Sequence, residues 1–384
     1  MSGNVILLAA GGTGGHMFPA GALAEKLQAE GYEVHIATDV RGLQYIDNLP
    51  TMPVHKIPAA TIYSGGFLAL PLRLLTLLWA FLISATLLIR LQPKVIVGFG
   101  GYPSFGPVMA GLVMRRPVLV HEQNAVLGRV NRLAARFGAH VGSSYANMAN
   151  MPNGAAKRLR RTGNPLRPAV LKAAQGGYRY LTGSRPFDLL IFGGSQGASI
   201  FSDVLPQAVA ELPENLRRRL RIVHQVRKPD MRAALKAYGD IGVYAEIRDF
   251  FNDLPTRMRR AHLVIGRGGA STMAEIGALG APAIIVPLPG SLDQDQAQNV
   301  RELDAVGGAI MVRQSDFTPQ HLAERLQLLM TDEKALQRMA DTTKKFGELD
   351  ATGRLGRYCV CLAEGLPVQI EPPKNKPAKG ARNG

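Results

Sequence analysis

The chain opens on an uninterrupted apolar run, NVILLAA (4–10), followed by glycines and then by PAGALAEKLQAEG (19–31), where apolar residues recur at helical spacing. A second apolar run, YEVHIAT (32–38), comes next. Runs without polar alternation predict strands covered on both faces, as in a parallel sheet, and strand, helix and strand in that order predict a βαβ unit. Gly31 is placed to stop the helix. The same alternation continues through strand candidates VIVGFG (95–100), PVLVHE (117–122) and HVGSSY (140–145). It pauses at RRTGNPLRPAV (160–170), then resumes with DLLIFGGSQGAS (188–199), an echo of ILLAAGGTGGH, and with RIVHQV (221–226), GVYAEI (242–247), HLVIG (262–266) and PAIIVPL (282–288).

This pattern predicts an α/β chain of two Rossmann-like domains whose parallel sheets face a cleft. The boundaries are set at 1–166 for the first domain and 167–350 for the second. Sequence from Asp332 to about Glu364 reads as helical, with a last helix over 351–367 packing back on the first domain and a disordered basic tail over 368–384.

One segment breaks the soluble pattern. LLTLLWAFLISATLLI (74–89) carries no charge in sixteen residues and lies between Arg73 and Arg90, with Lys94 beyond. As a helix it covers only about 24 Å, short of a hydrocarbon core of about 30 Å, and a strand of the same sheet follows at once. It therefore reads as a crossover helix, either buried in the core or resting its outer face on a membrane surface, and the flanking cations favour anionic lipid.

Composition sharpens this only in part. At 384 residues and 46% hydrophobic, the chain can bury two cores. Its net charge of +16 favours anionic partners without choosing among them. KRLRR (157–161) lacks interleaved aromatics and reads as a solvated basic face, so nucleic acid is not expected as a partner. The two cysteines, Cys359 and Cys361, are too close in a helical stretch to pair easily, and no cleavable signal is read ahead of the first strand, which points to a reducing, cytosolic setting.

The chemistry lies in the glycine turns. GGTGG (11–15) joins strand to helix, so backbone amides and the positive helix end can hold an anion, with a diphosphate as the obvious guest. GFGGYPSFG (98–106), FGGSQGAS (192–199) and the turn in VIGRGGASTMAEIGALGAPAIIVPL (264–288) repeat the device. A nicotinamide-type fingerprint would need glycine where Met17 stands, but Asp39 after the second strand keeps an NAD-type oxidoreductase open as an alternative. In TMAE, Thr272 and Glu275 fit a capping box; Glu275 can equally accept the two hydroxyls of a ribose. Asp293 and Asp295, in DQD, resemble a metal pair, yet two carboxylates make a poor dedicated cage. No metal or cofactor is expected, and turnover should persist in a chelator; complete loss restored by Mg²⁺ would contradict this.

The pieces GGTGGHMFPA, GFGGYPSFGP, HEQNAVLGRVNR, TGNPLR, GGSQGAS, GRGGASTMAEIGALGAPAIIVPLP and DQAQN, in that order over about residues 5–305, resemble the MurG family. The resemblance implies a GT-B type inverting glycosyltransferase that moves N-acetylglucosamine from UDP-N-acetylglucosamine to undecaprenyl-pyrophosphoryl-muramoyl pentapeptide, converting lipid I to lipid II in peptidoglycan synthesis. It implies a peripheral place on the cytoplasmic face of the inner membrane, an anionic membrane surface as partner, and other cell-wall synthesis proteins as candidate partners. A different UDP-sugar transferase acting on a lipid acceptor is the nearest alternative.

Carried over by position, the resemblance puts Thr13, Gly14 and Gly15 at the pyrophosphate and Asn124 at the N-acetylglucosamine. Arg167 and Ser195 meet the nucleotide, Phe251 lies beside the uracil, Ala270, Ser271, Thr272 and Glu275 hold the ribose and phosphate side, and Gln296 meets the sugar hydroxyls. Asp295 departs from the histidine or glutamine usual before that glutamine, and the apolar helix is greasier than the family's membrane patch. His16 titrates near neutrality and is a candidate base for the acceptor hydroxyl, or else a donor to the acceptor diphosphate; Glu122 is the rival base, and His121 is read as structural.

Overall fold

The structure is a computed structural model and describes residues 3–59, 70–183, 185–194, 197–291 and 294–370. It divides into two compact units, Met1–Pro165 with Asp350–Gly384, and Leu166–Leu349. The basic tail beyond residue 370 lies outside the described residues.

Among the described residues, the first unit holds a seven-stranded parallel sheet: β1 (Val5–Ala9), β2 (Glu33–Thr38), β3 (Val54–Lys56), β4 (Val95–Gly98), β5 (Val118–Glu122), β6 (His140–Ser143) and β7 (Leu159–Arg161). Their spatial order is β3-β2-β1-β4-β5-β6-β7. The second unit holds six parallel strands, β8 (Phe187–Phe192), β9 (Leu220–Gln225), β10 (Ala245–Arg248), β11 (Leu263–Gly266), β12 (Ala283–Ile285) and β13 (Ala309–Met311), ordered β10-β9-β8-β11-β12-β13.

Alternation along the strands serves two cores per sheet. Ile6 and Leu8 pack with Met17, Leu23 and Tyr358 on one face of the first sheet, while Leu7 and Ala9 join Leu88, Ile96 and Val108 on the other. In the second unit Leu189 and Ile191 face Phe201 and Leu326, and Leu190 and Phe192 face Met258, Ile276 and Val300. This double burial is why both strands read as continuous apolar runs. β3, β7 and β13, which the apolar pattern did not predict, are three-residue strands at sheet edges, too short to show a period.

KRLRR is not the solvated face expected of it. Leu159, Arg160 and Arg161 form β7, and Arg158 donates to the carbonyl oxygens of Ala135 and Ala139 at 2.8 and 3.2 Å, closing the end of the helix Arg129–Arg136.

The apolar segment is longer than its charge-free window. The helix runs Leu70–Leu91, 22 residues, with Arg73 and Arg90 inside its ends. At about 1.5 Å per residue it measures about 33 Å, so length does not exclude a span. Connectivity does: it crosses from β3 to β4 of one sheet and packs on the helix Phe105–Val113. The contact is close because Gly106 has no side chain; a Cβ there would lie 2.7 Å from the Ala80 carbonyl oxygen and 2.6 Å from Ser84 Oγ. Leu77, Ala80, Ser84 and Leu88 form the buried stripe, whereas Leu72, Leu75, Leu78, Trp79, Leu82 and Ile89 are exposed. A fully buried core helix is thereby ruled out.

The helical stretch from Asp332 consists of two helices, Glu333–Phe346 in the second unit and Ala351–Ala363 in the first, separated at Gly347. Ala351–Ala363 packs on Gly14–Ala29, Tyr358 Oη donates to the Arg158 carbonyl at 2.7 Å, and Lys94 pairs with Glu364 at 2.7 Å. Cys359 and Cys361 are both free thiols on that helix.

Candidate active site

In an open parallel sheet, ligands bind beyond the carboxyl ends of the strands where the strand order reverses, because neighbouring loops there diverge to opposite faces. In the first unit the reversal falls between β1 and β4, and the turns at 11–15 and 98–106 follow those strands. In the second it falls between β8 and β11, followed by the glycine-bearing residues 193–194 and 197–198 after β8 and by the turn at 267–270 after β11. All four glycine turns therefore flank the two switch points.

The first turn enters the helix Gly14–Ala29 with Thr13 as an extended cap residue whose hydroxyl makes no capping bond; Thr13 and Gly15 are exposed. His16 Nδ1 lies 3.0 Å from the Gly11 carbonyl oxygen. A carbonyl only accepts, so Nδ1 carries the proton and the neutral ring keeps its lone pair on Nε2. The ring lies against Gly100 and Gly101, both at positive φ (+87° and +74°), where added Cβ atoms would come within 3.6 and 3.4 Å of it. Burial lowers the His16 pKa below 6.5, the Gly11 bond opposes this, Arg41 adds to the lowering and Asp39 resists it.

Glu122 ends β5 and is buried. Its Oε1 accepts from the Asn124 amide N at 3.2 Å and Asn124 Nδ2 at 3.4 Å, and its Oε2 from the Gly128 N at 2.8 Å and Asn131 Nδ2 at 2.9 Å. Burial raises its pKa above the ordinary carboxylate value, and these four donors offset that only in part. Four N–H donors suit a carboxylate that fastens its loop, with no lone pair spare for a substrate proton. His121 is tied down similarly: Nε2 donates to the Gly163 carbonyl at 2.9 Å, Gln123 Nε2 donates to its Nδ1 at 3.1 Å, and burial lowers its pKa to about 4.

Asp39 is committed elsewhere than to a ribose. Its Oδ1 accepts from the Gly12 and Gly42 amides at 3.1 and 3.0 Å, and its Oδ2 from Arg41 Nε at 2.9 Å. This removes the feature that kept a nicotinamide enzyme open.

In the second unit the helix Ala270–Leu279 is capped by Gly269, not Thr272, and ends at Gly280 in the left-handed region (φ +62°). The capping box is therefore not formed, since Thr272 lies inside the first turn. Glu275, buried, instead accepts through Oε1 from Arg167 Nε at 3.1 Å and Nη2 at 2.6 Å. Burial raises the Glu275 pKa and the Arg167 charge opposes it. Sequence had named both residues without pairing them across 108 positions. Gly268 is gripped from the helix Asp295–Ala305: Asn299 Nδ2 donates to its carbonyl at 3.0 Å, and a Cβ would lie 2.6 Å from the Gln296 carbonyl oxygen. Gln296 Oε1 accepts from the Leu288 amide at 3.0 Å, and Asp295 Oδ1 from the Gln296 amide at 2.7 Å.

Phe251, after β10, is buried with the Arg257 guanidinium 4.5 Å from its ring centre, while Phe250 beside it is exposed. Arg267 went unnoticed in the sequence; it donates to the Val286 and Pro287 carbonyls and to Gln314, bracing the turn. Ser195 and Asp293 lie outside the described residues. Among those described, no cluster of three or more His, Cys, Asp or Glu side chains is arranged to hold a metal.

Two parallel α/β units with phosphate-type turns at both switch points define a nucleotide-sugar transferase of the GT-B type, and the chain matches the glycosyltransferase family 28 N-terminal domain over residues 6–143 and its C-terminal domain over 188–355. A UDP-N-acetylglucosamine--N-acetylmuramyl-(pentapeptide) pyrophosphoryl-undecaprenol N-acetylglucosamine transferase of Brucella canis is 47% identical over 97% of this chain and 98% of its own, and one from Brucella suis is equally similar over the same shares. The crystal structure of Acinetobacter baumannii MurG superposes with a TM-score of 0.75 at 26% identity, covering 93% of this chain and 99% of that one. The chain belongs to the MurG family of glycosyltransferases.

Proposed function

We propose that this chain transfers N-acetylglucosamine from UDP-N-acetylglucosamine to the muramoyl 4-hydroxyl of undecaprenyl-pyrophosphoryl-MurNAc-pentapeptide, making lipid II from lipid I. The observation that carries the reading is the placement of two glycine turns at the strand-order reversal of each sheet. Family membership supplies the substrates.

The first unit takes the acceptor. As its hydroxyl oxygen attacks the anomeric carbon, His16 Nε2 accepts the hydroxyl proton, and the bond from that carbon to the diphosphate breaks with its electron pair leaving on UDP. Attack opposite the leaving group inverts the anomeric centre. Backbone donors of the second unit's turns, with Arg167, offset the charge developing on UDP. Glu122 positions the Asn124 loop and leaves the proton to His16.

Thr13, Gly14 and Gly15 bind diphosphate, and Asn124 meets the transferred sugar. The first turn of Ala270–Leu279, including Ser271 and Thr272, holds the nucleotide side with Glu275, Phe251 borders the base, and Gln296 faces the sugar hydroxyls. Incubation with labelled UDP-N-acetylglucosamine and a lipid I analogue should yield labelled lipid II and free UDP; hydrolysis without transfer would refute the reading.

The exposed stripe of Leu72–Ile89 rests on the cytoplasmic face of the inner membrane, with Arg73 and Arg90 at its ends facing anionic headgroups. Trp79, 58% exposed, is the clearest anchor. Trp79→Glu should cut binding to anionic vesicles at least about tenfold in a sedimentation assay while leaving thermal unfolding unchanged. Leu77→Glu, at a buried position, should lower the unfolding temperature instead.

A further inference from the structure

One charged side chain at the first glycine turn has no role in the mechanism above. Asp39 is nearly inaccessible and gathers three donors: the Gly12 amide, which belongs to the turn, the Gly42 amide, and Arg41 Nε. A single carboxylate thus fixes the turn and the guanidinium in one frame. With Nε committed to Asp39, the two Nη groups of Arg41 have no partner among the described residues, and the side chain is 60% exposed. Nη2 lies over the turn, 3.5 Å from where a Cβ on Gly12 would stand, and Gly12 is held at φ +81°. The Arg41 charge is also close enough to His16 to disfavour its protonation.

A cation held by a buried carboxylate, with its free donors directed over an amide turn, is arranged for bidentate contact with phosphate oxygens. Arg41 therefore differs from a solvated surface arginine, whose side chain would have to be ordered when the ligand arrives. Its unit also carries the exposed apolar helix, whereas the nucleotide-side cation, Arg167, belongs to the other unit.

We infer that Arg41, preset by Asp39, binds the diphosphate of the lipid-linked acceptor. This rests on the transfer reaction proposed above. Its recognition is of charge and geometry and requires no contact with the sugar.

The test is steady-state kinetics of the full chain with a short-chain lipid I analogue, comparing wild type, Arg41→Ala and Arg41→Lys, with inorganic pyrophosphate as a second probe. Arg41→Ala should raise the acceptor KM about tenfold or more and leave the UDP-N-acetylglucosamine KM within about twofold; Arg41→Lys, which keeps charge but loses the planar fork, should fall between. Pyrophosphate should inhibit competitively against acceptor and lose about tenfold potency in Arg41→Ala.

An unchanged acceptor KM, or a rise confined to the donor KM, would overturn the inference. So would a lower unfolding temperature and kcat with pyrophosphate inhibition intact, the signature of a residue that only braces the turn. If the wild type transfers no sugar, the functional reading fails by itself, and calorimetric titration of wild type and Arg41→Ala with pyrophosphate still decides the role of Arg41.

Discussion

His16→Ala is expected to lower kcat by about 10²–10⁴-fold with little change in either KM, the range for loss of a general base. Geometry and electrostatics act together here. The Gly11 carbonyl fixes the proton on Nδ1 and leaves Nε2 as the base, while burial and the Arg41 charge keep the ring neutral by drawing its pKa below 6.5. A base works only when unprotonated, so kcat/KM should fall as pH drops through a value under 6.5 and stay level just above it. In His16→Ala that acid limb should vanish. Glu122→Gln gives the control: an amide in place of the carboxylate sets its own N–H against the donors from Asn124, Gly128 and Asn131, so stability should drop while the acid limb persists. Should His16→Ala keep both its turnover and its acid limb, the assignment of the base fails.

The second large effect is expected at Arg167. Arg167→Ala removes a cation from the nucleotide side and strips Glu275 of the two bonds that compensate its burial, so kcat/KM for the donor should fall about 10²–10³-fold. Glu275→Gln keeps an oxygen for Arg167 and should mainly weaken donor binding, seen as a smaller thermal shift with UDP-N-acetylglucosamine. Because one side chain orients the other, the double variant should depart from additivity by about 0.5–3 kcal/mol in the transition-state free energy derived from kcat/KM. Strict additivity would mean that the two residues act separately on the donor.

How far these features can be read from the chain depends on the distance over which each is determined. β1, its turn and Gly14–Ala29 are legible because an apolar run, the four glycines of GGTGG and a helical stripe occupy adjacent positions. Edge strands such as β3 are not, since three residues carry no period and their pairing is set by a neighbour elsewhere in the chain. The apolar helix was bounded at its arginines, but long cationic side chains reach solvent from inside a helix end, so Arg73 and Arg90 belong to it. The spacing in TMAE fits a cap at Thr272, yet the helix starts at Ala270 after Gly269, in a turn that Asp295–Ala305 approaches closely at Gly268. Asp39 is visible in the chain as a carboxylate after β2, with Gly42 and Arg41 close behind it, but the Gly12 amide reaches it only when β1 and β2 stand side by side. The Arg167 and Glu275 pair belongs wholly to the tertiary fold.

The return of Ala351–Ala363 to the first unit orders the events of biosynthesis. That unit is interrupted by Leu166–Leu349, so the ribosome makes a complete second unit before delivering the helix that covers Met17, Leu23 and the adjoining face of β1. During that interval the nascent first unit carries an unfilled groove where Leu355 and Tyr358 will lie, together with the greasy outer stripe of Leu72–Ile89. The second unit has all of its own strands by then, which makes the chain's earlier-born unit the later one to mature.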